Sequence, residues 1–211
     1  MFARVTMGTT DREASARFYR TVLAALGHSP ARDDPAQASW SDFALAAPGT
    51  RLADTGPGVG DLDAIGGVTR RLHLGFSAPS RAHVDAFWRA GVDAGYRSDG
   101  EPGPRPQYTP DYYGAFLLDP DGNSAEAVHR TGMRTDGTID HLWIRVADLA
   151  VARPAYVAAA GAAGLRIRTD EPDHLQLVGP AGGSLSVVPG PRTEHLSVRL
   201  DPPPPESPPR A

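Results

Sequence analysis

His73-Leu-Gly-Phe-Ser77 opens the second of three copies of one pattern, and this repeat decides the fold. The first copy opens with Arg4-Val-Thr-Met-Gly8 and the third with His141-Leu-Trp-Ile-Arg145, so the period is 69 and then 68 residues. An aromatic residue follows each opening residue by 15 positions, at Tyr19, Trp88 and Tyr156. A regular period indicates one supersecondary unit that is used several times along the chain.

Each copy has the pattern of a strand, a helix and then further strands. Apolar and polar residues alternate in the opening stretches, which is typical of a strand with one face on a core. A helical stretch follows, and a glycine comes directly after its last turn, at Gly27, Gly95 and Gly164. In the second copy, Asp119-Pro-Asp-Gly-Asn123 predicts a tight turn between two later strands. The unit is therefore βαβββ, with the helix on one sheet face and a buried or cavity-lining surface on the other.

Three stretches match the pattern of a known family: Asp11–Tyr19, Ala78–Phe87 and, most specifically, Tyr112–Glu126. In these stretches the chain resembles the vicinal oxygen chelate superfamily, which includes glyoxalase I, bleomycin-resistance proteins and extradiol dioxygenases. The resemblance implies an α+β fold in which paired βαβββ modules form a cup-shaped mixed sheet around a small-molecule site.

The repeat and the resemblance together predict how the chain is divided. We expect a complete two-module domain at 1–130, with modules at about 1–48 and 68–130, and a linker at 131–137. A third module and the start of a fourth would form a partial second domain at 138–200. The proline-rich end at 201–211 predicts a disordered tail.

The composition excludes several classes of function. The net charge is −4 and there is no basic stripe, which argues against nucleic-acid binding. The absence of cysteine excludes disulfides, thiolate nucleophiles and cysteine-type zinc sites. No apolar run is long enough to predict a membrane span or a secretory signal, so we expect a cytoplasmic protein.

The resemblance implies a metal-binding pattern, of which this chain holds a part. Family members that use a metal take a histidine from each of two first strands and a carboxylate from a last strand, a set that suits Fe, Mn, Ni or Zn. His73 and Glu126 occupy two of these places. Arg4 stands in the matching place of the first copy, and a guanidinium cannot bind a metal. We therefore favour a metal-free cup in which Arg4 pairs with Glu126, over a site for one divalent ion.

Further residues are predicted to face the cup. A tight turn at 119–123 would pair Phe116 with Glu126 and place Tyr112 on the same face, whereas a register slip of one residue would select Tyr113 instead. Arg4, Tyr112 and Phe116 are thus candidates for contact with a substrate, and Glu126 is the candidate catalytic base.

Two more histidines open strands in the same phase. His141 aligns with His73, and His195 opens a further strand near the end of the chain. In a chain with four complete units both would be ligands. Because the fourth unit is incomplete here, we favour a structural or remnant role for both.

Two classes of function follow. The first is a glyoxalase- or dioxygenase-type enzyme, a lyase or a dioxygenase, acting on a small molecule with vicinal oxygens; the second is a non-catalytic protein that binds a drug or metabolite, as bleomycin-resistance proteins do. The sequence leaves open whether the protein is an enzyme. Because the third module has no evident partner within the chain, we expect a homodimer through 138–200, or else that this module folds back on the first domain.

Overall fold

The structure is a computed structural model, and it describes residues 1–34, 37–47, 49–50 and 66–201. Most of the segment between the first two modules lies outside the described residues, as does the expected disordered tail at 201–211 apart from Asp201.

The described residues form three βαβββ units and one strand of a fourth, as the repeat predicts. The first unit comprises β1 (Phe2–Gly8), α1 (Arg12–Ala24), β2 (Arg32–Asp33), β3 (Gln37–Trp40) and β4 (Phe43–Ala46). The second comprises β5 (His73–Ser77), α2 (Arg81–Asp93), β6 (Ser98–Pro104), β7 (Tyr113–Leu118) and β8 (Ser124–His129). The third comprises β9 (Ile139–Val146), α3 (Leu149–Ala162), β10 (Arg166–Glu171), β11 (His174–Val178) and β12 (Ser184–Pro189), and the fourth begins with β13 (Leu196–Leu200). The α+β fold class is confirmed.

The units pair differently from the expected arrangement. An eight-stranded sheet has the order β10-β11-β12-β9-β5-β8-β7-β6, so the second and third units share one cup through the antiparallel pair β5 and β9. A five-stranded sheet has the order β13-β1-β4-β3-β2, so the first unit pairs with the start of the fourth. The expectation that the first two units would share a cup is not met.

The short connection between the second and third units explains this pairing. β8 ends at His129 and β9 begins at Ile139, so the chain delivers β9 directly to the free edge of β5. The third unit thus folds back within the chain, which was the alternative to a homodimer. Its cup face has a partner already, and the reason for expecting a dimer through 138–200 no longer applies.

The first unit packs on the second through an aromatic core. α1 begins after Asp11, whose side chain accepts hydrogen bonds from two backbone N–H groups of the first turn. Its buried residue Tyr19 packs edge-on against Phe43 of β4, with ring centroids 4.7 Å apart, and against Phe76 of β5, at 6.0 Å. These contacts join the two sheets on their helix-covered faces and leave the opposite face of the eight-stranded sheet free to form a cup.

A buried ion pair also fastens the two sheets together. The guanidinium of Arg134, which precedes β9, donates to the carboxylate of Asp42, just before β4, and both side chains are at least 95% buried. Asp42 also accepts a hydrogen bond from the backbone N–H of Thr138 at 2.9 Å. Asp42 therefore belongs to the contact between the two sheets and not to the cup.

Candidate metal centre

Three side chains from adjacent strands converge in the cup of the eight-stranded sheet. Nε2 of His73, Oε2 of Glu126 and Nε2 of His141 form a triangle with edges of 2.9, 3.1 and 3.2 Å. β5 lies between β8 and β9, and Gly75 is the register partner of both Glu126 and His141. The order of the strands therefore brings the three side chains to one point.

Gly75 makes room for this convergence. A Cβ at this position would lie 2.2 Å from Cε1 of His141, far inside van der Waals contact. Gly114 does the same on the other side, since a Cβ there would lie 2.6 Å from Oε1 of Glu126. The side chains of His141 and Glu126 thus occupy space that the Cβ of any residue other than glycine would fill at positions 75 and 114.

The triangle has the dimensions of a metal-ligand set. Ligands about 2.1 Å from a metal ion are about 3.0 Å apart at the corners of an octahedral face and about 3.4 Å apart in a tetrahedron. The observed edges match the octahedral face. Two imidazoles and one carboxylate in this arrangement form the facial set typical of Fe²⁺ sites with open coordination positions. The donor atoms and their spacing thus fit a divalent ion.

A shell of hydrogen bonds holds the ligand candidates in place. Nδ1 of His141 is 3.0 Å from Oδ2 of Asp140, which leaves Nε2 directed into the cup. Arg130 binds both oxygens of Asp140, at 3.1 and 3.0 Å. The hydroxyl of Tyr112 donates to Oε1 of Glu126 at 2.7 Å, which leaves Oε2 for the cluster.

The charges in the cluster balance without an ion. Burial opposes the charged form of Glu126, but hydrogen bonds from His141 and His73 outweigh it and lower its pKa to about 2. Burial also opposes the charged form of His141, but hydrogen bonds to Asp140 and Glu126 outweigh it and raise its pKa to about 9. Burial, and then the charge of Glu126, raise the pKa of Tyr112, which therefore stays a proton donor. A proton on His141 takes the place of a metal charge at neutral pH.

The structure places the predicted residues as follows. His73 and Glu126 lie together, and the predicted register of Phe116 with Glu126 is confirmed. The Phe116 ring lies 5.9 Å from the His73 ring, between centroids. Tyr112 faces the cup, whereas Tyr113 points to the helix side, where its hydroxyl donates to Asp85.

The predicted pair of Arg4 and Glu126 is wrong. Arg4 lies on β1 in the five-stranded sheet, where its register partner is Arg199, while Glu126 contacts two histidines and a tyrosine of the other sheet. Because β9 rather than β1 pairs with β5, His141 fills the place that Arg4 was expected to hold.

Sequence reasoning missed the role of His141 although it found its position. The alignment of His141 with His73 indicated that His141 could be a ligand. We did not assign it to the same site, because we expected the second unit to pair with the first rather than with the third. Asp140 gave no signal, because it stands in the opposite phase of the strand. His195 lies apart from the cluster: its ring fills the space beside Gly67 and its carbonyl accepts a hydrogen bond from Thr69.

The cluster opens into a pocket of about 1000 Å³ between the second and third units. On the third-unit side, Ser186 aligns with Glu126, but it is fully buried and bonded to His174, 3.0 Å from Nε2. The rings of Trp143 and His174 stack above it with centroids 4.9 Å apart. The third unit therefore contributes His141 to the cluster, and its other lining residues form one wall of the pocket.

Residues 2–127 match the sequence model of one protein family, the Glyoxalase/Bleomycin resistance protein/Dioxygenase superfamily. The chain belongs to this family. Among solved structures, a glyoxalase/bleomycin resistance protein from Albidiferax ferrireducens is 32% identical, with 62% of this chain and 99% of that one covered and a TM-score of 0.47. Glyoxalase I from Zea mays is 16% identical, with 93% of this chain and 71% of that one covered and a TM-score of 0.58. The second likeness shows that the shared fold extends beyond the first two units.

A search of the curated proteins gave no match. Within the part of the chain that the structure describes, no helix is long and apolar enough to cross a membrane.

Proposed function

We propose that the protein is a metal-dependent enzyme that acts on a small substrate with two adjacent oxygens, and that His73, Glu126 and His141 hold the metal. The observation that carries this proposal is the triangle of donor atoms, 2.9 to 3.2 Å apart at the floor of an open pocket. The two imidazoles and one carboxylate favour Fe²⁺ among the divalent ions.

The side chains around the cluster have separate tasks in such an enzyme. A divalent ion held here would supply Lewis acidity and open positions for both substrate oxygens. Asp140 keeps the imidazole of His141 turned toward the cluster, and Tyr112 holds one oxygen of Glu126 away from it. Phe116 lies beside the ring of His73, where it shields one edge of the cluster from water.

The pocket favours a dioxygenase over an isomerase or lyase. Moving a proton on the substrate needs a carboxylate or another base that is free to accept it. Among the described residues that line the pocket, Asp140 is held by Arg130 and His141, and Asp99 accepts a hydrogen bond from Ser124. Nε2 of His174, the remaining imidazole of the lining, is bonded to the buried Ser186. Glu126, the candidate base from the sequence, is engaged as a ligand. We therefore infer ring opening of a catechol by O₂, in which both oxygen atoms enter the product and the bond between or beside the two hydroxyl carbons breaks.

A non-catalytic binder is the second candidate. The cluster is neutralised by a proton on His141, whose pKa is raised to about 9 by Asp140 and Glu126 against the opposing effect of burial. The charges of His141 and Glu126 thus balance each other, and a pocket with such a cluster could hold a drug or metabolite without turnover.

Oxygen uptake separates the two candidates. Protein loaded with Fe²⁺ without air is mixed with a panel of catechols and O₂, and oxygen uptake is compared with that of His73→Ala and His141→Ala. The control is His83→Ala, whose ring lies on α2 and is bonded to Ser80, the residue just before that helix. We expect uptake in the parent and control proteins and loss in the other two. Binding of a catechol without uptake in any form would favour the binder, and equal uptake by His73→Ala would exclude the proposed site.

The proposed enzyme works as a single chain, because both units of its cup come from residues 73–189. The homodimer through 138–200, for which the shared cup no longer gives a reason, is untested, as is the cytoplasmic location. Light scattering on the purified protein tests the former.

A further inference from the structure

The wall of the pocket on the third-unit side is flat and firmly held. Trp143 and His174 stack with their ring planes at 27°, and His174 is bonded to the buried Ser186. Gln176 also donates to Ser186, at 3.4 Å. Since Trp143 is the register partner of His73, this aromatic wall stands directly beside the metal-ligand candidates.

The same side of the pocket carries positive charge without partners. Of the four arginines in the pocket lining, Arg71 pairs with Glu194 at 2.6 Å and Arg130 pairs with Asp140 at 3.0 Å. Arg145 and Arg168 also line the pocket, and their guanidinium groups make no ion pair or hydrogen bond with any residue in the described ranges. Both side chains are exposed, so their charges are accessible to a ligand that enters the pocket from its open side.

The strand geometry orders these features along one line. His141, Trp143 and Arg145 alternate onto the same face of β9. Their Cα atoms are therefore about 7 Å apart in succession along the strand. A molecule that binds the cluster at one end would meet the indole next and a guanidinium after it.

We propose that this side of the pocket binds the non-reacting part of the substrate, a planar ring or conjugated chain against Trp143 and a carboxylate at Arg145 and Arg168. The inference rests on the proposed function for the position of the adjacent oxygens, at His73, Glu126 and His141. Guanidinium groups bind carboxylates through paired hydrogen bonds, and aromatic faces favour planar groups. The substrate is thus an aromatic vicinal diol with an acidic side chain.

Binding measurements with a matched pair of ligands test this subsite. The probes are 3,4-dihydroxycinnamate and its neutral amide, which have nearly the same shape and differ in the charge of the terminal group. They are titrated without O₂ by calorimetry and by tryptophan fluorescence. We expect the acid to bind at least about tenfold more tightly than the amide. This preference should disappear in Arg145→Gln or Arg168→Gln and persist in Arg89→Gln, which removes a helix-surface charge paired 3.9 Å from Asp85. Trp143→Leu should weaken both ligands about equally and abolish the fluorescence change.

The outcomes distinguish this inference from the proposed function. Equal affinity of acid and amide in the parent protein, or a preference that survives in both pocket variants, would overturn the subsite. Turnover of simple catechols without any preference for the acid would leave the enzyme and remove the subsite. A preference for the acid in a parent protein that takes up no oxygen with any catechol would leave the subsite and remove the enzyme.

Discussion

Replacing Gly75 by alanine tests whether His141 is a metal ligand. The added Cβ would lie 2.2 Å from Cε1 of His141, whereas ordinary contacts begin at 3.4 Å. The imidazole must therefore move by about 1.2 Å unless the backbone shifts, which is about six times the tolerance of about 0.2 Å in metal–ligand distances. Losing only the support behind a ligand typically costs about 10- to 100-fold in metal affinity. We expect a loss of at least about 100-fold in Gly75→Ala, because the ligand itself is displaced.

The assay is calorimetric titration of chelator-treated protein with Mn²⁺ and Fe²⁺ in the absence of O₂. Gly91→Ala is the matched control, since its Cβ would lie 2.3 Å from Cδ1 of Leu117, on the helix side of the sheet. Urea unfolding shows whether each variant is folded, and crowding costs about 1–3 kcal/mol. Parent-like affinity in Gly75→Ala would refute the assignment of His141, and an equal loss in Gly91→Ala would mean that packing alone is responsible.

Three further outcomes follow from the contacts. Metal affinity should rise about tenfold per pH unit from pH 7 to 9 and then level off, because a proton on His141, with its pKa near 9, competes with the metal; a flat titration profile would contradict this. In metal-free protein the same raised pKa stabilises the fold fully below about pH 6.5, and this contribution is lost as the pH rises through 9, which urea unfolding across that range measures. Arg134→Ala should cost about 3–5 kcal/mol by leaving Asp42 buried and unpaired, and adding Asp42→Asn should recover part of that loss; additive losses in a double-mutant cycle would exclude the pair.

The sequence predicts the units better than their assembly. The alternation in the first strands, the glycines after the helices and the turn at 119–123 all follow from local backbone preferences, and the turn fixes the register of Phe116 with Glu126. The choice of partner strand does not follow, because β1, β5 and β9 share the same pattern. Each could pair with either of the others on grounds of alternation alone, and the length of the connections decides.

This ambiguity accounts for the errors at the site. His73 and Glu126 come from one unit, so their proximity needs only the local fold. His141 comes from another unit, so its role depends on the pairing of β5 with β9. Asp140 supports His141 through a contact at the start of the strand, which no periodic pattern encodes.

The pairing of β1 with β13 has a consequence during synthesis on the ribosome. Phe2 and Leu200 are register partners although nearly 200 residues separate them, so β1 must wait for almost the whole chain before its antiparallel neighbour exists. At about 5–20 residues per second the wait is roughly 10–40 s. Throughout it, one edge of β1 presents unpaired backbone groups that other nascent chains can recruit. The eight-stranded sheet, built from contiguous units, has no comparable delay, so the first unit is where we expect aggregation and chaperone binding to concentrate.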